Sequence, residues 1–60
     1  MPIVQIALAI RQLAIGEELC VEARDPAFVP DVRAWSRMTG NELTNVEDGE
    51  VKRVVVRRTV

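Results

Sequence analysis

Apolar side chains recur at helical spacing along the opening segment of the chain, directly after a proline. Pro2 suits the first turn of a helix, because the backbone N–H groups there have no partner within the helix and proline lacks this N–H. Gly16 suits a helix end. The pattern therefore predicts a first helix from Pro2 to Gly16. Its core-facing stripe consists of Ile3, Ile6, Ala7, Ile10, Leu13 and Ala14.

The next two segments predict a strand and a second helix. Apolar and polar residues alternate strictly from Glu18 to Arg24, which is typical of a half-buried strand and places Cys20 on its polar face. Asp25-Pro26 then offers a helix cap and a first-turn proline, and Gly40 offers a helix end. The apolar stripe between them consists of Phe28, Val32 and Trp35.

Two strand-like runs, 42–47 and 51–58, flank the dipeptide Asp48-Gly49, a strong hairpin signal. The order helix, strand, helix, strand, strand predicts an α/β two-layer sandwich, with two helices on one face of a small mixed sheet. The last run interleaves valines with four cations, which predicts an outer strand whose charges keep a sheet edge from pairing. These cations are Lys52, Arg53, Arg57 and Arg58.

Composition narrows the possible chemistry. The chain has 60 residues, of which 48% are hydrophobic and 28% charged, and this predicts a single folded domain over residues 1–60. Cys20 is the only cysteine and histidine is absent, so an internal disulfide and a Cys/His zinc site are excluded and we expect no metal. The isolated glycines form no phosphate loop, so we expect no cofactor.

Charge and hydropathy also limit the cellular compartment and the classes of binding partner that we expect. The apolar runs are too short to span a membrane, and no cationic segment of a secretion signal precedes them. We therefore expect a cytoplasmic, reduced setting and no membrane partner. The basic C-terminal run suits nucleic acid, but Phe28 and Trp35 are the only aromatic residues, too few for base stacking. We do not expect a nucleic-acid partner.

Four segments carry a resemblance to a known family: MPIV, LAIGEELCVEARDPAF, VPDVRAW and TGNEL, in this order. Together they resemble the TusA/SirA-like sulfur-carrier family over nearly the whole chain. The resemblance implies a βαβαββ two-layer sandwich, of which this chain has every element except the first strand. It also implies a function, the relay of persulfide sulfur between donor and acceptor proteins.

The chain departs from this family at the residue that carries sulfur. The family motif is Cys-Pro-x-Pro, and aligning its last proline with Pro2 puts Met1 at x and the cysteine two residues before the chain. The thioether of Met1 has no proton to lose and cannot hold a persulfide. Met1 and Pro2 are therefore a remnant of the motif at the helix N-terminus, and we expect no catalytic residue and no sulfur transfer by the chain as written.

Two explanations of this departure stay open. The chain is either an N-terminally truncated copy of a sulfur-carrier domain or a cysteine-less relative that serves as a non-catalytic interaction or regulatory module. In both cases the absent first strand leaves an edge of the sheet exposed. We expect a homodimer through this edge or through a second apolar stripe on the first helix. The stripe consists of Val4, Leu8 and Ile15.

Cys20 is the obvious substitute thiol. It lies in mid-strand between Glu18 and Glu22, whose negative charges disfavour a thiolate, and no helix terminus is predicted beside it. The pattern therefore favours a structural strand residue. Some members of the family carry a second cysteine after the tryptophan of helix two, but Ser36 occupies that position here and cannot hold a persulfide.

A minor alternative is a tautomerase. The opening MPIVQI resembles the start of the 4-oxalocrotonate tautomerase family, which would make Pro2 a general base and Arg11 a carboxylate-binding residue. That family begins with a strand, whereas the spacing after Pro2 is helical.

Overall fold

The computed structural model describes residues 2–60 of the chain, so Met1 lies outside the described residues. Its element order is helix, strand, helix, strand, strand, as predicted. The strands form one three-stranded sheet, and both helices pack on one face of it, which confirms a two-layer α/β (α+β) sandwich. The elements are α1 (Pro2–Ile10), β1 (Glu18–Ala23), α2 (Phe28–Thr39), β2 (Glu42–Asp48) and β3 (Lys52–Arg57).

The strand order is β1-β3-β2, and both pairings are antiparallel. The strands β1 and β2, which α2 connects, run parallel to each other, but β3 lies between them. A mixed sheet needs parallel strands side by side, so among these three strands the predicted mixed pattern is not formed.

The last strand is central, and our prediction of an outer β3 is wrong. Val54 and Val56 lie two residues apart on the inward face of β3, and both are fully buried beneath the helices. A strand between two others must present its apolar face to the middle of the helix layer. These valines supply that face, and the buried core contains Ile6, Ile10, Phe28, Val29, Val32, Trp35, Val54 and Val56.

The helix α1 ends at Ile10 rather than near Gly16, and carbonyls of the segment just beyond it bind a residue from the far end of the chain. The guanidinium of Arg58, just beyond β3, donates to the carbonyl oxygens of Arg11 and Leu13 at 3.3 and 2.6 Å. The backbone tightens into a turn there, with the N–H of Leu13 donating to Ile10 O at 3.2 Å. Gly16 lies in a later turn with φ of 93°.

The C-terminal end of α2 follows the sequence signal, but its start does not: the helix begins at Phe28, Pro26 lies before it, and the N-cap residue Ala27 makes no side-chain capping bond. Oδ1 of Asp25 accepts the N–H of Ala27 at 2.8 Å, in the turn that leads into the helix. Gly40 adopts the left-handed conformation (φ 83°), and its N–H donates to Ser36 O at 2.9 Å, which closes the helix.

The predicted second stripe of α1 is not one continuous surface. Val4 and Leu8 lie on the outer face of the helix with 63% and 57% of their area exposed. Ile15 is also exposed, but it lies in the turn beyond the helix because α1 ends early.

Candidate functional site

The N-terminal ends of both helices lie at one end of the molecule. A short connection joins α1 to the neighbouring β1, and another joins β1 to α2, so each helix runs antiparallel to β1. A cavity of about 230 Å³ between the C-terminal halves of the two helices agrees with this arrangement, since Ile10 and Arg11 line it together with Trp35 and Thr39. The start of α1 therefore lies at the end of the sheet where β1 ends and the β2–β3 turn projects.

The start of α1 is an environment that favours negative charge. The peptide dipoles of a helix sum to a partial positive charge at its N-terminus. The first turn of α1 contains no acidic residue that would offset this charge. A thiolate or persulfide directly before this turn would be stabilised, and its thiol would ionise more readily.

Cys20 lies on the other side of the molecule. Its side chain is exposed on the face of the sheet that carries no helix, where its cross-strand partner is Val55. The sheet separates this thiol from the start of α1. Its position on the polar face of β1 is the one predicted from the alternation.

The helix-free face is covered by two rows of charges that the sequence did not reveal. In one row Arg53 lies between Glu22 and Glu47, with Nη2 of Arg53 2.5 Å from Oε2 of Glu22 and Nη1 3.5 Å from Oε1 of Glu47. In the other row Nη2 of Arg57 is 3.1 Å from Oε1 of Glu42. The four-residue spacing of Arg53 and Arg57 indicates that both side chains lie on the same face of a strand. The acidic residues that they contact depend on the strand order, which the spacing does not give.

These contacts further favour the charged form of Arg53. The hydrogen bond to Glu22, followed by the negative charges of Glu22 and Glu47, raises the pKa of Arg53 above its ordinary value. An arginine is protonated throughout the physiological range with or without such contacts. The guanidinium of Arg53 links the two outer strands β1 and β2 across β3.

The described part of the chain offers no other obvious catalytic centre. Across residues 2–60, no cluster of three His, Cys, Asp or Glu side chains could hold a metal ion. No helix within the same range is long and apolar enough to cross a membrane. Ser36 is half-buried, and its hydroxyl donates to Asn41 O at 2.5 Å, which is a structural contact at the end of α2.

The architecture is that of a small two-layer α+β domain, with two helices on one face of a three-stranded antiparallel sheet. The model of one family, described as "Sulfurtransferase TusA", matches residues 1–58. The chain belongs to this family.

Two curated relatives agree with the family match. "Putative sulfur carrier protein YrkF" of Bacillus subtilis (strain 168) is 36% identical over 59 residues, which are 97% of this chain and 32% of the relative. "Putative sulfur carrier protein" of Aquifex aeolicus (strain VF5) is 32% identical over 54 residues, which are 90% of this chain and 27% of the relative. The chain thus spans about a third of the length of these relatives. No solved structure matches it.

Proposed function

We propose that this chain is a sulfur-carrier domain that relays persulfide sulfur between donor and acceptor proteins. The observation that carries the proposal is that α1 begins at Pro2, with no acid in its first turn, in a chain that matches the TusA family along its length. The sulfur site is at this helix start, on a cysteine ahead of Pro2. The relatives bear the words "sulfur carrier" in their names, which agrees with this role.

The transfer uses a thiolate and needs no cofactor. The carrier thiolate attacks the outer sulfur of the donor's persulfide, a new S–S bond forms, and the donor leaves as a thiolate. The helix dipole stabilises both the attacking thiolate and the persulfide anion that results. A thiolate of the acceptor then attacks the outer sulfur of the carrier persulfide in the same way. The carrier leaves as a thiolate and is thereby regenerated.

The partners are donor and acceptor proteins that dock at the end of the molecule where α1 starts. A reduced, cytoplasmic setting suits this chemistry, because a persulfide and its thiol persist only where disulfides do not form readily. The tautomerase alternative gains no support from the fold, since a helix starts at Pro2 where that alternative expects a strand.

A second candidate is a non-catalytic interaction or regulatory module on the same scaffold. One observation favours it. The only cysteine of the 60 residues is Cys20, which the sheet separates from the start of α1. In this form the protein would dock the same partners without accepting sulfur, and the 60-residue chain would be inactive in transfer.

Persulfide loading from a cysteine desulfurase distinguishes these candidates, with the mass gain of one sulfur atom as the readout. We expect no loading of the 60-residue chain, and loading of a chain extended ahead of Met1 by a strand that ends in Cys-Pro. A Cys20→Ser variant of each chain is the matched control, and it should behave as its parent does.

Two results would contradict the carrier proposal as stated. If the extended Cys20→Ser chain folds and does not load, the module is the better account. If the 60-residue chain loads and Cys20→Ser abolishes the loading, the thiol on the helix-free face is the sulfur site instead.

A further inference from the structure

Three large apolar side chains lie exposed on the helix layer of the molecule. Val4 and Leu8 of α1 have 63% and 57% of their area exposed, and Met38 of α2 has 85% exposed. None of the three is part of the core. Exposed apolar residues that are scattered are ordinary, whereas a contiguous group of them marks a binding surface. Their contiguity depends on which sides of the two helices face each other.

One flank of α2 faces α1. Asp31, Trp35 and Met38 are spaced four and three residues apart and therefore lie on the same flank. Trp35 lines the cavity between the helices together with Ile10 of α1, which places this flank toward α1. Asp31 and Met38 are exposed at its outer margin, near the start and the end of α2.

A row of residues on α1 faces this flank in turn. Ala7 and Arg11 line the same cavity, and Val4 lies one turn before Ala7 on the same side of the helix. Leu8 lies one turn after Val4, further from α2 and exposed. Because both helices start at the same end of the molecule, these side chains border the seam between the helices from one side and Met38 borders it from the other. We call this surface the helix-layer face, and it consists of Val4, Ala7, Leu8, Ala34 and Met38.

A strand ahead of Met1, as the family fold implies, leaves the helix-layer face open. Such a strand would pair with the outer edge of β1, beneath the flank of α1 that carries Gln5 and Ala9. These two residues line a groove of about 130 Å³ beside Leu19 and Val21 of β1. That flank points away from α2, so the exposure of the helix-layer face does not depend on the strand.

The helix-layer face is continuous with the sulfur site of the proposed function. A donor must bring its persulfide to the start of α1, so its contact surface is centred there. A protein–protein contact of standard size covers about 800 Å² on each partner, a disc of roughly 16 Å radius. The nine residues of α1 rise by about 14 Å in total. A donor seated on the helix side of the molecule therefore extends over Val4 and Leu8.

The helix-layer face also has an exposed charge of each sign beside it. Asp31 lies near its start and Arg11 near its end, and within residues 2–60 neither takes part in an ion pair. The carboxylate of Asp31 lies nearer the sulfur site. A cation of the donor opposite this carboxylate would fix the orientation in which the two sulfur atoms meet.

We propose that the helix-layer face is the docking surface for the protein that donates the sulfur. The donor presents an apolar patch to Val4, Leu8 and Met38 and a cation to Asp31. The apolar contact supplies most of the affinity, because burial of apolar surface drives most protein association, and the cation supplies orientation. The inference rests on the carrier function proposed above and names the partner surface of that same site.

Steady-state loading by a cysteine desulfurase tests the apolar part of this surface. The substrate is the chain extended ahead of Met1 by a strand that ends in Cys-Pro, in the Cys20→Ser background. We expect Leu8→Gln and Met38→Gln each to raise KM for this chain about fivefold and to leave kcat unchanged, because the lost contact stabilises the bound state and the transition state equally. Ile15→Gln is the matched control, since Ile15 is 63% exposed but lies in the turn beyond the other end of α1. Its KM should stay within about twofold of the parent value.

Charge reversal at Asp31 tests the cation. We expect Asp31→Lys to raise KM about tenfold at low salt and by a smaller factor in about 0.5 M salt, because salt screens exposed charges. Asp31→Asn removes the charge without reversing it and should act in the same direction with a smaller effect. Glu50→Lys in the β2–β3 turn reverses a charge away from the helix layer and should have no salt-dependent effect. Circular dichroism of each variant checks that the fold is retained.

The outcomes separate this inference from the carrier proposal. A parent chain that folds and does not load contradicts the carrier proposal, and the docking inference falls with it. A parent that loads, with KM unchanged in both Leu8→Gln and Met38→Gln, contradicts the docking inference alone. A rise of KM in Ile15→Gln equal to that in Leu8→Gln also contradicts it, because the effect would then not be confined to the helix-layer face.

A second copy of the chain is the competing occupant of this face. Analytical ultracentrifugation of the same chains distinguishes it from a donor. We expect the parent to sediment as a monomer at the concentrations used for loading. A dimer that Leu8→Gln and Met38→Gln both dissociate, while KM stays unchanged, would place a second copy on the helix-layer face and overturn the proposal.

Discussion

Asn41 shows how one polar residue can fix the end of an element. It is buried, with 6% of its area exposed, and it binds in three directions. Its Oδ1 accepts the N–H of Thr59 at 3.0 Å, its Nδ2 donates to Oγ1 of Thr39 at 3.3 Å, and its carbonyl accepts the hydroxyl of Ser36 at 2.5 Å. The end of α2 and the segment after β3 are thereby joined.

We predict that Asn41→Ala lowers the free energy of unfolding by about 1–3 kcal/mol, because it leaves the partly buried N–H of Thr59 without its acceptor. Urea denaturation followed by circular dichroism measures the change. Asn45→Ala is the matched control, since Asn45 is exposed at the irregularity of β2, and its effect should be within about 0.5 kcal/mol. Equal effects of the two substitutions would contradict this role of Asn41.

The sequence located individual side chains well where the signal was local. The alternation from Glu18 to Arg24 placed Cys20 on the polar face, and Phe28, Val32 and Trp35 are buried as their spacing indicated. It did not predict the bond between Asn41 and Thr59, because this contact joins the end of α2 to a segment 18 residues further along the chain.

At the scale of elements, β3 is the strand that organises the sheet. Its inward valines form the centre of the core, and its outward arginines each bind glutamates of neighbouring strands. The charged run that resembles a soluble edge is thus a central strand, and each cation within β3 has an acidic neighbour at the same height on an adjacent strand.

We predict that Arg53→Glu lowers the urea midpoint of unfolding, since it places three carboxylates in one row across the sheet. The loss should be larger at low ionic strength and should shrink in about 1 M salt, where the screening length is roughly 3 Å. Arg33→Glu on the exposed face of α2 provides the control and should leave the midpoint nearly unchanged. A loss that salt does not reduce would point to packing rather than to charge.

The lengths of the helices illustrate the same difference between local and distant signals. The sequence predicted the end of α2 correctly, because Gly40 closes it with a backbone bond to Ser36. It predicted α1 as too long, because the turn after Ile10 is fixed by Arg58, which lies far along the chain. Helical periodicity persists in the sequence beyond the point where tertiary contacts end the helix.

At the scale of the whole molecule, the sheet should exchange its amide hydrogens unevenly. We predict the slowest exchange for Val54 and Val56, whose strand is paired on both sides, and the fastest strand exchange for Cys20 and Glu22 at the free edge. Hydrogen exchange followed by NMR at low protein concentration measures this order.

The sequence by itself determined the order of the elements, the inward faces of β1 and α2, the hairpin and the family, since these depend on spacings within short segments. Only the tertiary structure decided that β3 is central, that the three strands are all antiparallel and that α1 ends at Ile10. These features arise from contacts between residues far apart in the chain, and local periodicity does not encode which strands meet. The same packing places Cys20 and the start of α1 on opposite sides of the sheet, because β1 presents alternate residues to its two faces.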